Sequence, residues 1–179
     1  MAKAAIFWID GLEETEAVTI ADLLRRGSVE LQIVSLMDST TVTGKHDIAL
    51  GCDKLLAELD TDVEMYIIPG GTIDYLQHAD FLDVLKEGHA EGKKMAAICA
   101  APAVFGSLGF LQDKRAACYP GMEGYMKGAT VIDATVVTDG NITTSQGPAT
   151  AIDFGLELLR ILEGEAVSKK IATDFLASV

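Results

Sequence analysis

The chain is predicted to be an α/β protein built on a mainly parallel sheet, and three observations carry that expectation. Short apolar runs of strand type alternate with segments of helical period, the sign of βαβ units. Met95–Ile98 reads as a buried strand that passes straight into a helix pattern. A hairpin signal appears only near the end, where Val136–Thr138 and Ile142–Thr144 flank Asp139-Gly140, a pair suited to the positive φ angles of a tight primed turn.

Taken in order, Ala4–Ile9 is the first strand. Ala17, Ile20, Ala21 and Leu24 then fall at i, i+3, i+4 and i+7, one apolar helix stripe that closes at Arg25, Arg26 and Gly27. Leu31–Leu36 reads as the second strand, Thr40–Leu50 as short and less regular β structure, and Met65–Ile68 as the third strand, ended by Pro69-Gly70-Gly71. Asp80 is placed to cap a helix running to about His89. After Met95–Ile98 a helix is expected over Ala100–Leu108, stopped by Gly109. Ala149–Leu162 and Ala166–Leu176 read as two closing helices. No internal repeat, low-complexity tract or linker divides the chain, so one domain over residues 1–179 is expected.

Composition narrows the function classes. With 179 residues and 49% apolar content, the chain fits one folded domain of the usual ~100–200 residues with a sizeable core. A formal charge of −13, without a local Lys/Arg patch, argues against nucleic acid as a partner. The N-terminal apolar run ends at Asp10 and lacks the features of a secretory signal. The longest uncharged stretch, Met95–Leu111, is interrupted by Pro102, Gly106 and Gly109 and is too short to span a bilayer. Cys52, Cys99 and Cys118 form no C-x-x-C and no even framework, which suits a reducing cytoplasm.

In open α/β sheets, ligands gather beyond the carboxyl ends of the strands, and three features fall there. Cys99 sits where a strand turns into a helix among small neighbours, Ala96-Ala97-Ile98 and Ala100-Ala101-Pro102. A helix N-terminus there is expected to lower the thiol pKa below its free value of ~8.5; a buried structural cysteine is the alternative, and it is the reading kept for Cys52 and Cys118. Glu16 lies beside Ala17 at the rim of the first helix's stripe, where desolvation would raise its pKa; a partly exposed helix residue is the alternative. Glu13 and Glu14 suit a helix start and need no function. Gly70 and Gly71 end the third strand, and their amides, with that of Ala100, could form an oxyanion hole for an adduct on Cys99; a βα turn needing positive φ explains the pair equally well. Dinucleotide, P-loop, zincin and serine-hydrolase motifs are absent. None of the three histidines, His46, His78 and His89, closely follows Cys99 or lies in the Cys118-Tyr119-Pro120 loop.

Four segments form a recognisable set: Gly11-Leu12-Glu13-Glu14-Thr15-Glu16, Ile67-Ile68-Pro69-Gly70-Gly71, Ala96-Ala97-Ile98-Cys99-Ala100-Ala101-Pro102 and Thr144-Ser145-Gln146-Gly147-Pro148. Together, and in this order over nearly the whole chain, they resemble the DJ-1/ThiJ/PfpI family of the class I glutamine amidotransferase-like superfamily. The resemblance implies a flavodoxin-like three-layer sandwich, a homodimer, and a reactive cysteine on a strained elbow beside a protonated glutamate, here Cys99 and Glu16. It also implies glutathione-independent glyoxalase or deglycase-like activity on small reactive carbonyls. The alternative is an oxidative-stress sensor or redox-regulated chaperone that works through oxidation of Cys99.

Two departures bear on this. Ala100 stands where the protease-like branch has histidine, so proteolysis is discounted. Tyr119 precedes Pro120 where members closer to the human protein have histidine; a phenol of pKa ~10 donates a hydrogen bond but is a poor base near neutrality. The expected site is therefore Cys99, Glu16 and Tyr119 with Gly70, Gly71, Ala100 and Pro148. No metal or organic cofactor is expected. The expected partners are a small aldehyde or oxidant and a second copy of the chain, with neither nucleic acid nor membrane.

Overall fold

All five residues from Ala4 to Trp8 are buried, and this run takes the centre of the molecule as β1 (Lys3–Trp8). The computed structural model describes residues 1–177, so the last two positions of the expected 1–179 domain lie outside it. The chain continues through α1 (Glu14–Arg26), β2 (Glu30–Ser35), β3 (Thr41–Thr43), β4 (Ala49–Gly51), β5 (Lys54–Leu55) and β6 (Met65–Ile68). It then forms α2 (Ala79–Ala90), β7 (Lys94–Ile98), α3 (Pro102–Ser107), β8 (Arg115–Ala116), β9 (Thr130–Val131), β10 (Val136–Asp139), β11 (Ile142–Ser145), α4 (Ala151–Glu163) and α5 (Glu165–Asp174).

Seven of these strands form the main sheet in the order β10-β11-β7-β6-β1-β2-β5. Only β10 and β11 pair antiparallel within it. From β1 the chain steps to β2 on one side and later adds β6, β7 and β11 on the other. Right-handed crossovers taken in opposite directions put α1 and α2 on opposite faces of the sheet. The result is a three-layer α/β fold, with its ligand crevice expected where the winding reverses, beyond the ends of β1 and β6.

On one face the stripe Ala17, Ile20, Ala21 and Leu24 is buried, and α1 packs on α4, which packs on α5. On the other face Phe81 of α2 meets Phe7 of β1 at 4.9 Å, and Phe7 meets Tyr66 of β6 edge-on at 5.3 Å. Burying these rings contributes about 1.5–3 kcal/mol each.

Several local expectations need correction. Asp80 is not the cap of α2: the helix starts at Ala79, and Asp80 lies inside its first turn. The helix expected over Ala100–Leu108 contracts to Pro102–Ser107, because Ala101 N–H closes a turn onto Ile98 O and Pro102, lacking a donor, suits the first helical position. The closing hairpin turns through Gly140-Asn141, one residue later than Asp139-Gly140, since Asp139 still pairs with Ile142. The helix expected from Ala149 begins at Ala151, after a single 3-10 turn over Pro148–Thr150, and the last helix runs Glu165–Asp174.

Candidate active site

Cys99 directly follows β7 and adopts φ +66°, a conformation that costs a non-glycine residue about 1–3 kcal/mol. Two backbone bonds hold it there: Cys99 N–H donates to Ser145 O at 2.9 Å, and Tyr119 N–H donates to Cys99 O at 2.8 Å. Thr144 Oγ1 also accepts the Ala117 N–H at 2.8 Å, tying the 117–119 loop to β11. The Thr144-Ser145 segment therefore clamps the elbow from the neighbouring strand. The residue is 8% exposed, so a small ligand reaches the sulfur only through the crevice.

Glu16 enters from the first turn of α1. Glu13 caps that helix by accepting the Glu16 N–H at 2.8 Å, and Glu13 N–H donates to Gly70 O at 2.9 Å. Glu16 Oε2 in turn accepts the Gly70 N–H at 2.7 Å. Both polar backbone groups of Gly70 are thus taken by α1, which corrects one expectation: Gly70 has no amide left for an oxyanion. A Cβ at Gly70 would lie 2.6 Å from Cys99 Cβ and 2.8 Å from Glu16 Oε2, while Gly71 turns with φ +96°. The two glycines are there for close approach and for the turn. Glu16 itself is fully buried rather than at a rim, because the β6–α2 turn closes over the start of α1.

Burial pushes the Glu16 carboxyl up to about 7, against hydrogen bonds from Cys99 and Gly70 that favour its charge. Burial also pushes the Cys99 thiol up, to about 12, with the Glu16 charge and the hydrogen bond to Glu16 adding to it; the amides of Gly71 and Ala100 pull the other way. The expected lowering by a helix N-terminus is not found, since α3 starts three residues later and has only six residues, and the dipole field fades within a turn. The two acids behave as one unit: the pair gives up its first proton near neutrality, and the charge left behind holds back the second. Glu16 Oε1 is buried with no partner of ordinary hydrogen-bond geometry. A thiolate beside a carboxylic acid is then a tautomer of the thiol beside a carboxylate, and the Gly71 and Ala100 amides favour charge on sulfur. Among the described residues neither amide donates to a backbone carbonyl.

Cys99 opens into a cavity of about 560 Å³ lined also by Gly71, Ala100, Tyr119 and Pro148. Five of the seven expected residues therefore share one cavity, with Glu16 and Gly70 packed beneath it. Burial raises Cys52 and Cys118 to about 11, and neither lines this space. The same cavity is lined by Lys45, which sequence reasoning missed, and by His46, to which the sequence assigned no role. His46 Nδ1 lies 2.8 Å from Glu14 Oε2, and its backbone N–H donates to Glu14 Oε1 at 2.7 Å. Glu14, set aside as a helix-start residue, is buried by this contact. No spacing in the chain links positions 14 and 46; the β3–β4 hairpin brings them together.

The DJ-1/PfpI family model matches residues 2–161. Protein DJ-1 homolog B of Arabidopsis thaliana is 34% identical over 168 residues, covering 90% of this chain and 38% of that protein, so the chain spans well under half of its length. DJ-1alpha of Drosophila melanogaster is 34% identical over 181 residues, 97% of this chain and 83% of that one. A protein named a deglycase, from Pyrococcus abyssi, is 28% identical over 166 residues, 90% of this chain and 99% of its own. Among solved structures, Drosophila melanogaster DJ-1beta superposes with a TM-score of 0.93 at 30% identity over 99% of both chains. Oxidized DJ-1 of Toxoplasma gondii superposes with a TM-score of 0.93 at 32% identity over 100% of both. With the family model, the fold and these relatives agreeing, the chain belongs to the DJ-1/PfpI family.

Proposed function

We propose that this protein converts small α-oxoaldehydes, methylglyoxal among them, to 2-hydroxy acids without glutathione, in the manner of a glyoxalase or deglycase. One observation carries the reading: the Cys99 sulfur, at φ +66° on its elbow, meets the cavity with the buried Glu16 carboxyl on one side and the Gly71 and Ala100 amides on the other. Sulfur attacks the aldehyde carbon to give a hemithioacetal, and the two amides hold the developing oxyanion. Glu16 gives its proton to that oxyanion, then as a carboxylate takes the proton from the same carbon and returns it to the neighbouring one while the hydroxyl proton moves across to the neighbouring oxygen, a shuttle suited to a carboxyl pushed up to about 7. The product is a hydroxyacyl thioester, which water cleaves to the hydroxy acid and free thiol. Tyr119, in the same cavity, orients the carbonyl with its hydroxyl. No step calls for a metal or organic cofactor, and Ala100 stands where the protease-like branch has its histidine directly after the cysteine.

A second reading, redox sensing or chaperoning through oxidation of Cys99, draws on the same buried acid: Glu16 can donate to a sulfinate formed beside it. The similar Toxoplasma gondii structure is of an oxidized DJ-1. A homodimer, a cytoplasmic setting and a single domain belong to either reading; among the described residues no helix is long and apolar enough to cross a membrane.

Incubation with methylglyoxal followed by proton NMR tests the proposal. Lactate should form with the wild type and not with Cys99→Ala. Lactate that persists in Cys99→Ala excludes the scheme. No lactate from wild type, with two oxygens added at Cys99 by mild peroxide, favours the sensor.

A further inference from the structure

Thioester cleavage needs a group to take a proton from water arriving through the cavity, and the Glu16 carboxyl, fully buried, does not line that cavity. Tyr119 is a poor base. The cavity holds one imidazole, that of His46, and it is not loosely placed. Its side chain is 64% exposed, whereas that of Glu14 behind it is 8% exposed. Both Glu14 oxygens are spent on His46, one on the ring and one on the backbone amide.

The loop that carries His46 is built around this contact. Gly44 N–H donates to Ile48 O and Asp47 N–H donates to Gly44 O. A Cβ at Gly44 would fall 2.2 Å from Glu14 Oε1, so only glycine admits the carboxylate there. Lys45 N–H donates to Leu12 O, pinning the loop to the start of α1.

Burial pushes Glu14 up, but the hydrogen bonds from His46 outweigh it and hold the carboxyl below its usual range. A carboxylate only accepts, so in the neutral ring Nδ1 carries the hydrogen and Nε2 keeps its lone pair. This is the orienting logic of a carboxylate–imidazole dyad. Glu13, Glu14 and His46 also place ligand atoms within 4.8 Å of one another, but both Glu14 oxygens are already engaged by His46.

We propose that His46, oriented by Glu14, is the general base of the second half-reaction: it activates the water that cleaves the hydroxyacyl thioester on Cys99. Water oxygen bonds to the thioester carbon and its proton passes to His46 Nε2. The C–S bond breaks, and the thiolate recovers a proton from the imidazolium, so no external reactant besides water enters. The inference rests on the carbonyl-converting reading above and adds to it a catalytic residue, with Glu14 as its positioning residue.

The test compares wild type, His46→Ala, His46→Gln and Glu14→Gln for lactate formation from methylglyoxal, with hydroxylamine added at intervals to trap thioester as the hydroxamate. Both His46 variants should turn over at least about tenfold more slowly, the low end of what a general base contributes being larger still. They should accumulate a hydroxylamine-sensitive adduct on Cys99, and free imidazole should restore turnover in His46→Ala. Glu14→Gln should lower kcat with KM little changed. If wild type makes no lactate, the functional reading fails and this inference with it. If wild type makes lactate but His46→Ala stays within about twofold of it, or slows without a trappable thioester, the inference alone is overturned. Loss of wild-type turnover on dialysis against a chelator would also overturn it, in favour of a metal at Glu13, Glu14 and His46.

Discussion

Glu16 Oε2 accepts the Gly70 N–H at 2.7 Å, and this single bond ties the acid of α1 to the turn that roofs Cys99. It fixes which carboxyl oxygen is left for the sulfur, and it explains why position 70 carries no side chain. Gly70→Ala should therefore cost about 1–3 kcal/mol, the usual cost of forcing a methyl group into a packed site. Chemical denaturation reads the loss. The same substitution should also slow alkylation of Cys99, because the new methyl group would press on its Cβ.

The raised carboxyl of Glu16 makes stability depend on pH with a definite sign. Its value moves from 4.5 to about 7 on folding, so the folded state holds this proton where the unfolded chain has lost it. The carboxyl is harmless to the fold below about 4.5, and the fold loses stability as pH rises through 7. Between pH 5 and 8 the wild type should lose about 2–3 kcal/mol relative to Glu16→Gln. Denaturation midpoints of the two proteins across that range check it; parallel curves would mean that Glu16 is not desolvated.

Strain at the elbow is separable from chemistry. At φ +66° an L side chain is disfavoured by roughly 1–2 kcal/mol, and glycine is not. Cys99→Gly should thus be more stable than Cys99→Ala, reversing the order found in helices and strands. Urea midpoints of the two variants decide it.

Tyr119 has two separate parts. Its backbone N–H clamps the Cys99 carbonyl, whereas its half-exposed ring lines the cavity. Tyr119→Phe keeps the clamp and removes the hydroxyl, so stability should not change and kcat/KM should fall by about five- to tenfold, the worth of one hydrogen bond. An unchanged kcat/KM would remove the phenol from the reaction.

The sequence made Cys99 and Gly71 legible because a strand end followed by a helix, and a Gly-Gly after Pro69, are local signals. The depth of Glu16 was not legible. Helical periodicity shows which side of α1 is apolar, but not that the turn after β6, some fifty residues on, closes over it. The direction of the Cys99 shift was missed because a helix pattern reveals neither the burial of the thiol beside Glu16, which raises it, nor that α3 is short and begins only at Pro102. His46 and Glu14 carried no signal at all, since a hairpin tip without regular alternation brings them together.

The pH dependence of Cys99 alkylation by iodoacetamide, followed by peptide mass against Cys52 and Cys118, tests the paired-acid account most directly. The rate at Cys99 should climb through about pH 7, as the Cys99–Glu16 pair loses its first proton, and then level off well before the alkaline range. A rate that stays low through neutrality and rises only toward pH 10 and above, or earlier modification of Cys52 and Cys118, would show an isolated buried thiol and contradict it.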